Sequence, residues 1–250
     1  MLNARIIDSF TINFVCIYTE IMDSLLSNLK ISVNDSLYLK DPEGTELGRK
    51  IIEQSILLID EIGFDAYTFR KLGERIGSNE SSIYRYFENK HKLLLYLSAW
   101  YWGWTEYHMV FKTHSILNAE DKLRTAIYML TRDISIDTNF MHVNEEALFR
   151  IMISEFSKSY LTKEVDQENK EGYFALYKRI ILRLASIMEE VNPDYPFATS
   201  LSSTVVEGAL HQHYLSQHLK SITNCNANFT PTDFYTDLVF RTLKAFPNEE

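Results

Sequence analysis

Residues 68–87, TFRKLGERIGSNESSIYRYF, place a short helix, a glycine-containing turn and a second short helix within about twenty residues. Thr68 is suited to cap a helix that buries Phe69, Leu72 and Ile76 before Gly77 stops it. Ser78 or Asn79 caps a second helix whose inward residues are Ile83 and Phe87. Leu72, Ile76 and Ile83 fix the pair against whatever lies beneath. The free side of the second helix then carries Asn79, Glu80, Ser81, Ser82, Tyr84 and Arg85, short polar residues plus one long donor, a face suited to a major groove.

Working outward, Leu47, Ile51, Ile52, Ile56, Ile59 and Ile62 form an apolar stripe ended by Gly63, which predicts a first helix in front of the pair. Asn89 caps a helix that starts at Lys90, where free backbone amides already favour an anion, and runs on through an aromatic-rich stretch. Asn118 precedes a helix with Leu123, Ile127, Leu130 and Ile134 on one face. Asn144 precedes another, with Leu148, Ile151, Met152 and Phe156. Residues 162 to 191 read as one long helix carrying Phe174, Tyr177, Ile181, Leu184 and Met188, stopped before Pro193. Two more helices, over roughly 197 to 219 and from Thr230-Pro231 onward, finish the chain. From Thr45 the period stays near 3.6 and no run alternates as a strand does. The expected fold is all-α: an N-terminal three-helix head over 45–95, a helical body over 96–250, and an N-terminal extension, 1–44, part of it disordered.

Composition narrows the function. The chain has 250 residues, 46% apolar and 24% charged, with eight Gly and five Pro, which excludes collagen-like and linker-like designs. Two cysteines, Cys16 and Cys225, are too few for a disulfide framework and read as passive thiols of a reducing, cytoplasmic setting. The net charge is −9, yet residues 69–92 hold six Lys/Arg against three Asp/Glu, so an acidic body carries one locally basic segment. No stretch is apolar for long enough to span a membrane; residues 10–22 come closest and are interrupted by Thr11, Asn13, Thr19 and Glu20. Residues 1–21 lack a targeting signal, and Met22 reads as an alternative start.

The segment GSNESSIYRYFENKHKLL, residues 77–94, resembles the DNA-binding motif of TetR/AcrR-type transcriptional repressors. Gly77, Ser82, Ile83, Tyr84, Tyr86, Phe87, Asn89, Lys90, Leu93 and Leu94 fall on the family's pattern, and the resemblance extends over Gly48 to Leu95. It implies that Thr68, Ser82, Tyr84, Tyr86 and Lys90 contact phosphates or hold the recognition helix in register, while Asn79, Glu80, Ser81 and Arg85 face bases. Two positions depart from the pattern. Gly77-Ser78-Asn79 replaces the frequent Gly-Val-Ser, and Gly73 stands where Ala is usual, which should loosen that helix slightly.

In the body, Tyr96, Trp100, Trp104, His108 and Phe111 share one side of a helix by their spacing. Such a stripe is ordinarily core. The resemblance makes it a candidate wall for a ligand, with Trp100, Trp104, His108, Phe149 and Tyr177 as lining residues and a lipophilic or aromatic small molecule as the inducer. It also implies a homodimer through helices near 197–219 and 231–246, where Ser202, Ser203, Gly208 and Ala209 would allow close approach. Two heads about 34–36 Å apart would read successive major grooves of a double-stranded operator. His211 and His213, two residues apart, fall on different helix faces and make a poor metal pair, so neither metal nor cofactor is expected. Three alternatives stay open: a regulator answering to a protein partner, a degenerate head that only mediates protein interaction, and an α-helical enzyme using Glu155, His108 or His211. The last lacks any nucleophile–base pattern.

Overall fold

The structure, a computed structural model, describes residues 31–134 and 142–246. Among these residues there are eleven α-helices and no strand: α1 Glu46–Ile62, α2 Phe69–Ile76, α3 Glu80–Tyr84, α4 Lys90–Thr113, α5 Ala119–Thr131, α6 Glu145–Glu155, α7 Ser157–Tyr160, α8 Val165–Lys170, α9 Ala175–Val191, α10 Ala198–His218 and α11 Pro231–Ala245. The expectations for residues 1–21, Met22 and Cys16 lie outside the described residues.

Short polar side chains start most of the helices. Thr45, Thr68, Asn79, Asn89, Asn118, Asn144 and Thr230 each accept a backbone N–H of the first turn they precede, satisfying donors that the helix leaves open. Thr230 does so in a reciprocal capping box with Asp233, and Pro231 takes the first helical position. Gly63 and Gly77 end α1 and α2 with φ of 76° and 67°, a region open to glycine.

α4 is the spine. Leu93 to Trp102 are buried without interruption, as befits a helix enclosed on all sides, and α5, α9, α6 and α7 pack against it. The one carboxylate sunk in its middle, Glu106, is met by two guanidinium groups of α9: Arg179 Nε donates at 2.7 and 2.8 Å and Arg183 Nη2 at 3.1 Å. A buried anion needs that pairing, since alone it would cost several kcal/mol, roughly. α10 and α11 pack on each other and on α5, and a single apolar core runs from Ile51 in the head to Leu243 in the last helix.

Two expectations need correction. Residues 162–191 do not form one helix: α8 ends at Lys170, Gly172 takes φ 82°, and α9 starts at Ala175. The helical period runs across the break because Phe174, Tyr177 and Ile181 keep facing the same core, while the left-handed glycine reverses the backbone. The helix opened by Asn144 also closes early, with Phe156 standing between α6 and α7.

Candidate nucleic-acid interface and the body behind it

α1, α2 and α3 close around Ile51, Leu72, Ile76, Ile83 and Phe87, all buried. Gly73 lets α2 meet the turn into α3: a Cβ there would stand 2.7 Å from the Ser78 carbonyl oxygen. The departure at position 73 therefore permits a close approach, and Ser78 N–H bonds the Gly73 carbonyl at 2.9 Å across it.

Above that packing lies a continuous polar face. Thr68, Ser81, Tyr84 and Arg85 are exposed, and Tyr84, 46% exposed, leans its ring edge-on against Phe69 at 5.0 Å. Asn79 is exposed and caps α3, its Oδ1 accepting the Ser82 amide at 2.8 Å and the Ser82 hydroxyl at 2.7 Å. Ser82 is thereby engaged in holding the helix start, and Glu80, half-buried, takes the first helical position.

Two of the sequence-predicted residues stand behind the face. Tyr86 is 3% exposed and its hydroxyl pairs with Thr45 Oγ1 at 2.8 Å, tying the end of the recognition segment to the cap of α1. Lys90 sends its ammonium to three backbone carbonyls, of Phe64 at 2.9 Å and of Asp65 and Tyr67 at 3.1 Å, and lies over the Phe64 ring. It grips the turn between α1 and α2.

The body holds the same turn from the other side. Glu155 Oε1 of α6 accepts the Phe64 amide at 3.0 Å, and Lys158 bridges Glu155 and Asp65 at 2.8 and 2.7 Å. That ammonium keeps the Asp65 carboxyl below its usual range. Arg150 of α6 adds a two-pronged contact to Asp60 at the end of α1. Sequence reading missed this junction, because its partners lie about ninety residues apart and each alone looks like ordinary surface charge.

Within the body, Trp104 rests on His108 with ring centroids 4.6 Å apart, and Tyr101 lies 6.3 Å from Trp104 and 6.4 Å from Phe149, which meets His213 at 5.1 Å. Trp100, Trp104 and Phe149 are buried. Tyr177 belongs to a second cluster with Trp102, Phe156 and Tyr160, joined to the first where Trp102 meets Tyr101 at 4.9 Å, and both tyrosine hydroxyls donate to Glu207. Burial first, then Glu207, pushes Tyr160 up to about 12. A cavity of about 530 Å³ opens beside that second cluster, lined by Met152, Phe156, Tyr160, Glu207 and His211 among others. None of Trp100, Trp104, His108, Phe149 and Tyr177 lines it. His211 and His213 sit apart, the first exposed, the second buried and bonded to the Thr131 carbonyl at 2.9 Å. Among the described residues no three or more His, Cys, Asp or Glu converge as metal ligands, and no helix is long and apolar enough to cross a membrane.

An exposed polar recognition helix on a three-helix head, continued by one long helix into an all-helical body, defines a helix-turn-helix protein. Residues 51–97 match the family model of the bacterial regulatory proteins of the tetR family. Over 75 residues it is 36% identical to the tetracycline repressor protein class A from transposon 1721 of Escherichia coli, a match covering 30% of this chain and 32% of that repressor. The chain thus spans about a third of the length of that curated relative. Similar folds include a protein from Saccharomonospora viridis described as a transcriptional regulator and solved in complex with choline, with a TM-score of 0.56, 14% identity, and coverage of 82% of this chain and 100% of that one. The superantigen PfiT gives 0.54, 17%, 83% and 100%. The fatty acid degradation regulator FadR from Bacillus halodurans gives 0.52, 14%, 80% and 96%. At such identities these likenesses concern the fold.

Proposed function

We propose that the chain is a homodimeric DNA-binding transcriptional regulator, a repressor released from its operator by a small lipophilic or aromatic ligand. The observation that carries the reading is the polar face of α2 and α3, where Thr68, Asn79, Ser81, Tyr84 and Arg85 stand clear of a buried side made of Phe69, Leu72, Ile76 and Ile83. Thr68, Tyr84 and Ser82 are the residues for phosphates and register, and Asn79, Ser81, Arg85 and Glu80 those nearest bases. Tyr86 and Lys90 act by positioning, since their polar atoms already bond within the head.

One five-residue recognition helix makes few contacts, so affinity calls for two heads. Exposed Ile222, Phe229 and Phe234 line one groove by the start of α11, and Tyr214 and Leu219 are exposed near the end of α10, which supports pairing there. Two of the small residues of α10 also serve inside the protomer: Gly208 accommodates the Tyr235 hydroxyl, and Ser202 rests on Met188. For the ligand, the aromatic group of Tyr101, Trp104, His108 and Phe149 supports a lipophilic or aromatic molecule. The Trp104 indole N–H, buried with no acceptor among the described residues, supports an occupant carrying an acceptor. The structural relative bound to choline supports a body of this fold taking a small molecule.

The test is electrophoretic retardation of the duplex upstream of the chain's own gene. Retardation should fall steeply as salt rises and exceed that of an unrelated duplex at every salt concentration. Equal retardation of both duplexes, or none at low salt, would remove the reading.

A further inference from the structure

The segment before α1 is built into both halves of the molecule. Residues 35–37 and 42–44 form two short 3-10 turns, started by Asn34 and Asp41, whose side chains accept the Ser36 and Glu43 amides at 2.9 Å. Val33 and Leu37 are buried. This segment lies outside the matched family stretch, 51–97.

Its body end is fitted to two glycines. Ile31 lies against Gly103 of α4, where a Cβ would stand 2.6 Å from its Cγ2, and Asn34 Nδ2 donates to the Glu171 carbonyl at 2.9 Å, beside Gly172 in the α8–α9 turn. Its head end meets the residues just past the recognition helix. Leu39 N–H bonds the Tyr86 carbonyl at 2.8 Å, and the Lys40 ammonium lies 5.0 Å above the Tyr86 ring. The Glu43 carbonyl accepts Arg49 Nη1 of α1 at 2.7 Å. At the same head end, the Glu43 carboxylate faces His142 Nε2 at 2.8 Å and the Tyr96 hydroxyl at 3.3 Å. His142 stands three residues before α6, the helix whose Glu155 holds the α1–α2 turn.

A head carried on one continuous helix can pivot about that helix. Here the α6 contacts to Asp60, Phe64 and Asp65 already limit that pivot, and a further tether, anchored at Gly103 and Glu171 below and at Tyr86 above, limits it again. Apolar burial of Val33 and Leu37 keeps the tether seated, while its polar anchors can exchange with water. We propose that residues 31–44 are a strap that fixes the angle between head and body, with the Glu43–His142 contact as its release point. Movement of α6 pulls His142 away from Glu43 and frees the head, so the strap couples the body to the spacing of two heads.

The test is hydrogen exchange on the full chain, native and with Asn34→Ala or Glu43→Ala. Both variants should speed exchange of the Leu39 amide and of the turn after α3 by about tenfold, while α9 and α10 keep native rates. A swap, Glu43→Lys with His142→Glu, should restore head exchange to within about twofold of native, since it rebuilds a contact between the same two positions with the carboxylate on the other side. Unchanged head exchange in both variants overturns the strap, as does equal acceleration throughout the chain, which would make the segment plain core. Failure of the swap to rescue overturns the release point. The exchange readout is independent of DNA binding, so it stands or falls separately from the regulator reading.

Discussion

Lys90 illustrates how one side chain can be legible in its place and hidden in its role. Its position at the start of a helix after a capping Asn was readable, and so was its fit to the family pattern. Its three backbone acceptors were not, because they lie 23 to 26 residues earlier in a turn whose shape depends on Gly63. A charged donor held by three carbonyls, two of the contacts part-buried and one exposed, contributes more than a surface ion pair. Lys90→Met keeps the stem over Phe64 and removes the donors, so urea denaturation should show a loss of about 2 kcal/mol. A loss under about 0.5 kcal/mol would mean that the grip adds nothing beyond surface contacts. Tyr84→Phe, by contrast, should leave stability unchanged, since its hydroxyl makes no bond within the head and the ring still leans on Phe69. Its effect should appear as weaker retardation of the operator duplex and of unrelated duplexes alike.

Helix starts were the best-read elements, because a cap is a local matter between a short side chain and amides two or three residues on. Thr68, Asn79, Asn89, Asn118, Asn144 and Thr230 all sit where the sequence places them. Helix ends inside an unbroken apolar period were read worse. Gly172 was the available signal between residues 162 and 191, and the periodic Phe174, Tyr177 and Ile181 outweighed it. The segment 31–44 gave no signal at all, having no period and anchors scattered over the whole chain. Gly208 is a further case, since its smallness suggested contact with a second chain and the structure fills the space with Tyr235 of α11. Gly208→Ala should therefore destabilise the protomer by about 1–3 kcal/mol through overlap with that hydroxyl. Adding Tyr235→Phe should recover part of the loss in thermal melting. No recovery in the double variant would show that the ring rather than the oxygen sets the limit.

At the scale of the whole molecule, the buried phenols set an alkaline limit. Burial holds Tyr67, Tyr96 and Tyr101 above the ordinary phenol range, and burial, with Cys225 second, takes Tyr235 to about 12. In the unfolded chain the same groups ionise near pH 10, roughly. Below that pH both states keep their protons and stability is indifferent to these groups. Above it the unfolded chain loses protons that the folded chain retains, so stability falls with rising pH. Urea midpoints measured from about pH 9 to 11 should decline, with tyrosinate absorbance appearing together with unfolding. Flat midpoints would show that the phenols ionise in place. The buried spine has an optical corollary. All three tryptophans of the chain, Trp100, Trp102 and Trp104, lie within a short stretch of α4, each 3% exposed, and the head contains none. The ultraviolet emission of the whole protein is therefore a reporter on about one turn of the helix that joins head to body. If that emission shifts when a duplex docks on the head, the disturbance has travelled down α4; if it stays silent, the head has moved on its own.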